Sequence, residues 1–254
     1  MAAYINNLKK YYREIKIPYL RSDKRTSVFD AYVHLDIVNN GDGHSVEIRQ
    51  FFDKAKTHRI ALTGQAGCGK STCCAYIASA WASQILWHDR FDAIFLIPLK
   101  KLLVYSSCRT IKEVVKQEYF AYIGQGRFDE LWDTLHNQEE RVLFLLDGYD
   151  ELNLEALEQE NPTLAFSFKN LLERRNYILT TRPYTLTQEI RRYSDLTFEI
   201  RGFGQASIEI YIDSFFKEDL QLGTELIHFI DENLKLRDVV STPVNLELIV
   251  SIWQ

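Results

Sequence analysis

The chain has 254 residues, of which 46% are hydrophobic and 13% aromatic, and its formal net charge is −5. Such a composition can bury a sizeable core and excludes wholesale disorder, and the scarcity of Gly (11) and Pro (5) excludes collagen-like and low-complexity classes. The acidic balance indicates no nucleic-acid partner, although residues 1–25 alone carry a net charge of +5. The uncharged stretch 71–88 contains Ser, Thr, Gln and His, so no membrane span is predicted.

Cysteine usage indicates a reducing compartment. The four cysteines are Cys68, Cys73, Cys74 and Cys108. Their spacing matches no zinc site, and adjacent cysteines make a poor disulfide framework. The first twelve residues also lack the apolar core of a secretion signal. The pattern therefore predicts a reduced, cytoplasmic chain.

The first part of the chain is predicted to hold short, separate elements. A helix is predicted within residues 1–20, and it is expected to end near Pro18. The apolar run 28–38 predicts a short strand, and the NNGDG sequence at 39–43 predicts a turn. Residues 46–56 predict another short helix.

From residue 59 onward, predicted strands and helices alternate. Apolar runs predict five strands, at residues 59–63, 93–99, 141–146, 177–180 and 196–200. Helical periodicity fills the intervals, at residues 70–86, 110–122, 127–136, 163–174 and 184–193. This alternation is typical of an α/β protein with a parallel sheet and helices on both faces. After Gly204 the strands stop, and three helices are predicted, at residues 205–217, 223–234 and 243–253.

A glycine-rich turn joins the first of these strands to its helix and matches the phosphate-binding pattern G-x-x-x-x-G-K-[ST] in full. The candidate nucleotide-binding residues are Gly64, Gln65, Ala66, Gly67, Cys68, Gly69, Lys70, Ser71 and Thr72. Glycines let backbone N–H groups turn towards phosphate oxygens, and the helix N-terminus adds positive potential. Lys70 is expected to contact the β- and γ-phosphates, and the Ser71 hydroxyl is expected to bind Mg²⁺.

An acid ends the third apolar strand, in the sequence VLFLLD. Asp147 at that position would lie beside the phosphate crevice and hold Mg²⁺, usually through water. Asp150 and Glu151 follow shortly after it and are candidates to orient or deprotonate an attacking water. The alternative is an acidic turn that caps the next helix.

The fourth strand ends in Thr-Thr-Arg. Arg182 at this strand end can reach a γ-phosphate and report its presence, and the alternative is a surface arginine in a loop. The guanine-reading tetrapeptide Asn-Lys-x-Asp does not occur in the chain, which favours ATP and ADP.

Together these motifs resemble the NACHT family of STAND nucleoside triphosphatases, signalling switches related to the AAA+ class. The resemblance is carried by GQAGCGKST and by LFLLDGYDEL, in which Gly148 follows the magnesium acid and an acid pair comes next. Tyr32 and Val33 lie in a YVHL stretch similar to one that precedes the family's nucleotide domain, with His34 in place of the usual proline. Pro243 is similar to the family's helical-domain proline that packs on adenine, and the alternative is a proline that simply starts a helix.

The resemblance implies a P-loop NTPase core whose five-stranded parallel sheet has the order 5-1-4-3-2, followed by a small helical domain. The implied units are an N-terminal helix and connector at 1–27, a nucleotide-binding domain at 28–202, and a helical domain at 203–254 that is cut short before a winged-helix domain. It further implies slow Mg²⁺-dependent ATP hydrolysis, control of conformation and homo-oligomer assembly by ATP and ADP, and a protein partner reached through further domains. Such proteins occur in immune and antiviral signalling, and delivery into a host cytosol by an intracellular bacterium fits equally.

Two other functions share the same core. One is an AAA+-like ATPase motor, which would turn over steadily and faster with a partner. The other is a structural or interaction module that holds ADP, hydrolyses almost nothing and is indifferent to loss of Asp150 and Glu151. The placement of Gly148 and the acid pair favours the switch.

Overall fold

The computed structural model of the chain describes residues 2–17, 26–53, 59–105, 107–123, 128–136 and 139–253. The strands are β1 (Lys16–Ile17), β2 (Thr26–Ser27), β3 (Asp36–Asn39), β4 (Arg59–Gly64), β5 (Ala93–Pro98), β6 (Val142–Asp147), β7 (Asn176–Thr181) and β8 (Leu196–Gly202). The helices are α1 (Ala2–Arg13), α2 (Val28–Ala31), α3 (Lys70–Ala82), α4 (Ile111–Ile123), α5 (Phe128–His136), α6 (Leu154–Glu160), α7 (Pro162–Arg174), α8 (Gln188–Tyr193), α9 (Gln205–Phe215), α10 (Leu220–Glu232), α11 (Leu234–Val240) and α12 (Pro243–Ile252).

The main sheet has six strands in the order β3-β8-β4-β7-β6-β5. The five strands from β8 to β5 are parallel, and in chain order their arrangement is the expected 5-1-4-3-2. The expectation of only five strands is wrong, because β3 pairs antiparallel with β8 at the sheet edge. A four-residue edge strand forms through pairing with a partner that lies far away in the chain, so its own residues are a weak predictor of it.

The segment before β3 also differs from the predicted strand at 28–38. Its first residues form α2, because the Ser27 side chain accepts a hydrogen bond from the Phe29 backbone N–H and caps the helix. Only Asp36–Asn39 pairs with the sheet, and the predicted turn follows at once. Residues 32–35 form an irregular link between α2 and β3.

The core lies between the parallel strands and the helices on both faces. Residues 142–146 of β6 and 60–64 of β4 are buried, as expected for strands covered on both sides. Helix α3 is buried almost all round, from Cys73 to Ala82, because it packs between the sheet and α1. These central elements hold the phosphate-loop segment in place.

Helix α1 ends at Arg13, short of the predicted end near Pro18, which lies outside the described residues. Tyr12 is fully buried, and its hydroxyl donates to the Ile94 carbonyl at 3.0 Å. The Arg13 guanidinium donates to the Ala82 carbonyl at 2.6 Å, so it caps the C-terminus of α3. Helix α1 is therefore packed against α3 and the main sheet.

Three further predicted helices have different bounds. Of the predicted helix at 46–56, the described part holds a single 3₁₀ turn at Ile48–Gln50. Helix α3 stops at Ala82 instead of continuing to residue 86, and Gln84 and Trp87 just beyond it have positive φ. The helix predicted from residue 184 begins at residue 188, because the Thr187 side chain caps it. In each case a local cap or turn overrides the apolar periodicity.

Helices α9 to α12 enclose a separate apolar cluster that includes Ile212, Leu226 and Leu246. The structure adds α11, which was not predicted, because Asn233 ends α10 and a short helix follows. The junction with the sheet is close: the Phe203 backbone N–H donates to the Ser241 carbonyl at 2.6 Å. This contact sets the start of α12 against the end of β8.

Candidate functional site

A cavity of about 440 Å³ opens at the carboxyl end of the parallel strands. The structure places these predicted site residues around it: Tyr32, Val33, Ala66, Gly67, Gly69, Lys70, Ser71, Thr72, Asp147, Asp150, Glu151, Arg182 and Pro243. The predicted residues Gly64, Gln65 and Cys68 belong to the same loop but do not line the cavity. Gly148, which the sequence marked as the residue after the metal acid, also lines the cavity. The residues that sequence reasoning missed are Ala31, Leu35, Phe203, Tyr211, Val244 and Glu247.

The phosphate loop has the backbone that its glycines allow. Gly67 and Gly69 have φ of +76° and +98°, a region that favours glycine, and α3 begins directly after them. The Lys70 ammonium donates to the carbonyls of Gly64 and Gln65, at 2.7 and 2.9 Å. The loop therefore presents a helix N-terminus and a lysine to the cavity, the arrangement that receives phosphate.

Cys68 supports the loop from within. Its side chain is buried, and its Sγ lies so close to Gly64 that a Cβ there would come within 2.5 Å. Burial raises the pKa of the Cys68 thiol, and the neighbouring Lys70 opposes this shift in part. The thiol is thus a neutral packing group beneath the loop.

The end of β6 is fixed by a neighbouring strand. The Thr180 hydroxyl donates to Asp147 Oδ1 at 2.7 Å and accepts from the Gly148 N–H at 2.8 Å. Gly148 adopts a φ of +81°, which turns the chain sharply after the acid. Asp147 and the exposed Ser71 hydroxyl both line the cavity, and these hard oxygen donors suit Mg²⁺. They would hold that ion, which would supply positive charge beside phosphate.

The two acids after Asp147 have different surroundings. The Asp150 side chain is only 7% exposed, and its Oδ2 lies 2.8 Å from the Arg182 Nε. Its Oδ1 is buried without a hydrogen-bond partner among the described residues, which is unusual for a carboxylate oxygen. The Glu151 side chain is 49% exposed, and its Oε2 lies 3.6 Å from the Lys100 Nζ. Asp150 is therefore held by its ion pair with Arg182, whereas the Glu151 side chain is half-exposed and lines the cavity.

Arg182 is held on two sides. Besides the ion pair with Asp150, its Nη1 donates to the Tyr184 hydroxyl at 2.9 Å. The Tyr184 hydrogen bond and the Asp150 charge raise the pKa of the Arg182 guanidinium, which stays positively charged. The guanidinium thus lines the cavity as a fixed positive group.

The start of α12 borders the cavity beside the phosphate loop. The Val244 backbone N–H donates to the Gly67 carbonyl, and a Cβ on Gly67 would lie 2.4 Å from the Val244 side chain. Pro243 occupies the first turn of the helix beside this contact. The phosphate loop and α12 therefore touch directly.

Tyr32 forms the wall between α2 and β3. Its ring stacks on Tyr76 of α3 at a centroid distance of 3.9 Å. Its hydroxyl is buried, and burial raises the pKa of this phenol. The stacked pair gives the cavity a rigid aromatic side.

Two negative findings apply to the described residues. They contain no group of three or more His, Cys, Asp or Glu side chains that could hold a metal ion on its own. None of their helices is long and apolar enough to cross a membrane.

A phosphate loop between a strand and a helix, facing an acid on another strand of the same parallel sheet, defines a P-loop nucleotide-binding protein. Residues 58–219 match the NACHT domain family. Because this match covers more than half of the chain, the chain belongs to the NACHT family, and the resemblance seen in the sequence is confirmed.

Curated relatives share this region. Human nucleotide-binding oligomerization domain-containing protein 2 is 25% identical over 205 residues, which is 73% of this chain and 19% of that protein. Rat NACHT, LRR and PYD domains-containing protein 1a allele 1 is 26% identical over 200 residues, which is 70% of this chain and 16% of that protein. The chain spans less than a fifth of the length of these relatives.

Solved structures match more distantly. The structure of C. elegans PCH-2 is 16% identical, with a TM-score of 0.36 over 87% of this chain and 46% of that chain. The Thermotoga maritima RuvB Holliday junction branch migration motor is 12% identical, with a TM-score of 0.39 over 76% of this chain and 53% of that chain.

Proposed function

We propose that this chain is an ATP- and ADP-binding signalling NTPase whose nucleotide state controls its conformation and self-assembly, with slow Mg²⁺-dependent ATP hydrolysis. The observation that carries the proposal is the single cavity that joins the phosphate loop, the acids after β6, Arg182 and the start of α12. A nucleotide in that cavity would touch both the sheet and the C-terminal helices. Its loss or exchange would therefore alter how the two parts pack.

The side chains divide the work of hydrolysis. Lys70 and the loop N–H groups bind the phosphates, and Ser71 and Asp147 hold the metal ion. Glu151, the more exposed acid, orients or deprotonates the attacking water. Asp150 holds Arg182 through its ion pair, and Arg182 reports the γ-phosphate.

The division at residues 27 and 202 stays part of the proposal, with a nucleotide-binding domain at 28–202 and a helical domain at 203–254. The separate apolar cluster of α9 to α12 supports the second unit. Pro243 and the Tyr32–Val33 wall would enclose the base. The assembly that nucleotide controls would be a homo-oligomer, and it would act on a protein partner.

The four cysteines are all free thiols, which supports a reducing, cytoplasmic setting, either in its own cell or in a host. The two competing functions, a motor and an ADP-holding module, share the same cavity. They differ in turnover and in the nucleotide that stays bound.

Two measurements separate these functions. Denaturing the purified protein and identifying the released nucleotide should give ADP for a switch. Steady-state phosphate release should be slow, absent in Asp147→Asn, and strongly reduced in Glu151→Gln with ATP still bound. Rapid turnover accelerated by a partner would favour the motor, and wild-type turnover in both Glu151→Gln and Asp150→Asn would remove the acid pair from catalysis.

A further inference from the structure

The orientation of the Arg182 guanidinium is set by two side chains. Its Nε lies 2.8 Å from Asp150 Oδ2, and its Nη1 donates to the Tyr184 hydroxyl at 2.9 Å. A planar guanidinium that is bonded through two different nitrogen atoms cannot turn freely about either contact. Because it carries five N–H donors, it can keep both contacts and still bind a phosphate oxygen.

The two partners of Arg182 differ in where they lie. Asp150 lines the cavity, and its side chain is only 7% exposed. Tyr184 does not line the cavity and is 72% exposed, so burial does not explain its position. Its ring lies beside Arg182, with the guanidinium carbon 5.9 Å from the ring centroid. Any effect of Tyr184 on a bound nucleotide would therefore pass through Arg182.

A short turn fixes Tyr184 relative to Arg182. Directly after β7, Pro183–Thr185 forms a 3₁₀ turn whose first residue has the fixed φ of proline. The Thr185 N–H and hydroxyl both donate to the Arg182 carbonyl, at 3.1 and 2.8 Å. The Thr185 hydroxyl also pairs with that of Thr181, at 2.7 Å. On this fixed backbone, the tyrosine side chain has two torsions to order, so little conformational entropy opposes its contact with the guanidinium.

We propose that Tyr184 is a positioning residue that orients Arg182 for the γ-phosphate and so strengthens the preference for ATP over ADP. The inference rests on the proposed role of Arg182. Without the Tyr184 hydroxyl, Arg182 keeps its contact with Asp150, and the guanidinium plane can turn about that contact. Binding of a γ-phosphate would then have to order the guanidinium, which opposes binding. ADP has no γ-phosphate, so its affinity does not depend on this orientation.

The test is Tyr184→Phe, which keeps the ring and removes the acceptor. Calorimetry with Mg²⁺ measures the affinities for ADP and for the slowly hydrolysed analogue ATPγS. The affinity for ATPγS should fall by about 2- to 12-fold, the range for one hydrogen bond, while that for ADP stays unchanged. The melting temperature should also stay close to that of the wild type, because Tyr184 is exposed. Tyr193→Phe removes a hydroxyl from α8, outside the cavity, and should leave both affinities unchanged.

A double mutant shows whether the effect passes through Arg182. Arg182→Ala should lower the affinity for ATPγS and leave that for ADP unchanged. When Tyr184→Phe is added to Arg182→Ala, the affinity for ATPγS should fall no further, because no guanidinium is left to orient. An effect of Tyr184 on the general packing of this turn would persist in the double mutant and would overturn the inference.

The outcomes also separate this inference from the proposed function. If the wild type binds neither nucleotide, the proposed nucleotide site fails, and the inference fails with it. If Arg182→Ala leaves the ratio of the two affinities unchanged, Arg182 does not report the γ-phosphate, and Tyr184 has nothing to position. If Arg182→Ala lowers the ratio but Tyr184→Phe does not, the proposed function stands and the role of Tyr184 is refuted. A higher ratio in Tyr184→Phe would refute it too, because Tyr184 would then hold Arg182 away from the phosphate.

Discussion

The hydroxyl of Thr180 links two strands of the candidate site. It donates to Asp147 Oδ1 at 2.7 Å and accepts from the Gly148 N–H at 2.8 Å, and Thr180 is fully buried. Thr180→Val keeps the branched shape of the side chain and removes the oxygen. The Gly148 N–H then loses its acceptor, and Asp147 loses the donor that orients it.

The expected cost follows from these two bonds. A buried donor left without a partner costs about 1–3 kcal/mol. Asp147 is half-buried, so water can replace part of its lost bond. We expect the free energy of unfolding to fall by about 2 kcal/mol. For a chain of this size, that loss lowers the melting temperature by about 4–8 °C. Because Asp147 is a predicted metal ligand, the Mg²⁺ dependence of nucleotide binding should weaken as well.

Thr181→Val is the matched control. Thr181 is the next residue and is equally buried, and its hydroxyl pairs with Thr185 at 2.7 Å, away from Asp147. Both variants should lose stability in thermal or urea unfolding. Only Thr180→Val should raise the Mg²⁺ concentration needed for half-maximal nucleotide binding. An unchanged Mg²⁺ dependence in a folded Thr180→Val protein would refute the reasoning that Thr180 positions the metal acid.

Three further predictions concern the same cavity and its supports. Lys70→Ala should weaken ADP by about 10- to 150-fold in calorimetry, and an unchanged affinity in a folded variant would contradict the phosphate-loop assignment. Pro243→Ala should speed release of a fluorescent ADP analogue with little change in melting, whereas an unaltered release rate would leave Pro243 as a helix-start residue. Burial raises the pKa of the Cys73 thiol from 9.0 to about 12, so its contribution to stability is complete below pH 9 and is lost as the pH rises towards 12. Between pH 8 and 10.5, the free energy of unfolding measured with urea should fall by about 2 kcal/mol less in Cys73→Ala than in the wild type. Equal falls in the two proteins would contradict the burial argument.

The sequence by itself determined the parallel core and the phosphate loop. Between residues 59 and 200, each strand was predicted from an apolar run of adjacent residues, without reference to the rest of the chain. Five strands lie at the predicted places. The loop at 64–71 is likewise local, since its glycines and the following helix are adjacent in the chain. Because the carboxyl ends of parallel strands share one edge, Asp147 and Arg182 could be predicted to lie near the loop.

Only the tertiary structure decided the features that depend on distant partners. Strand β3 exists because β8 offers it an edge, and Thr180 matters because β7 lies beside β6. Glu247 reaches the cavity because α12 packs against Gly67, far away in the chain. Its spacing from Pro243, four residues on one helix face, was visible in the sequence, but nothing local says which way that face points. Contacts between residues far apart in the sequence depend on how whole helices and strands pack together. Local sequence patterns do not predict that packing.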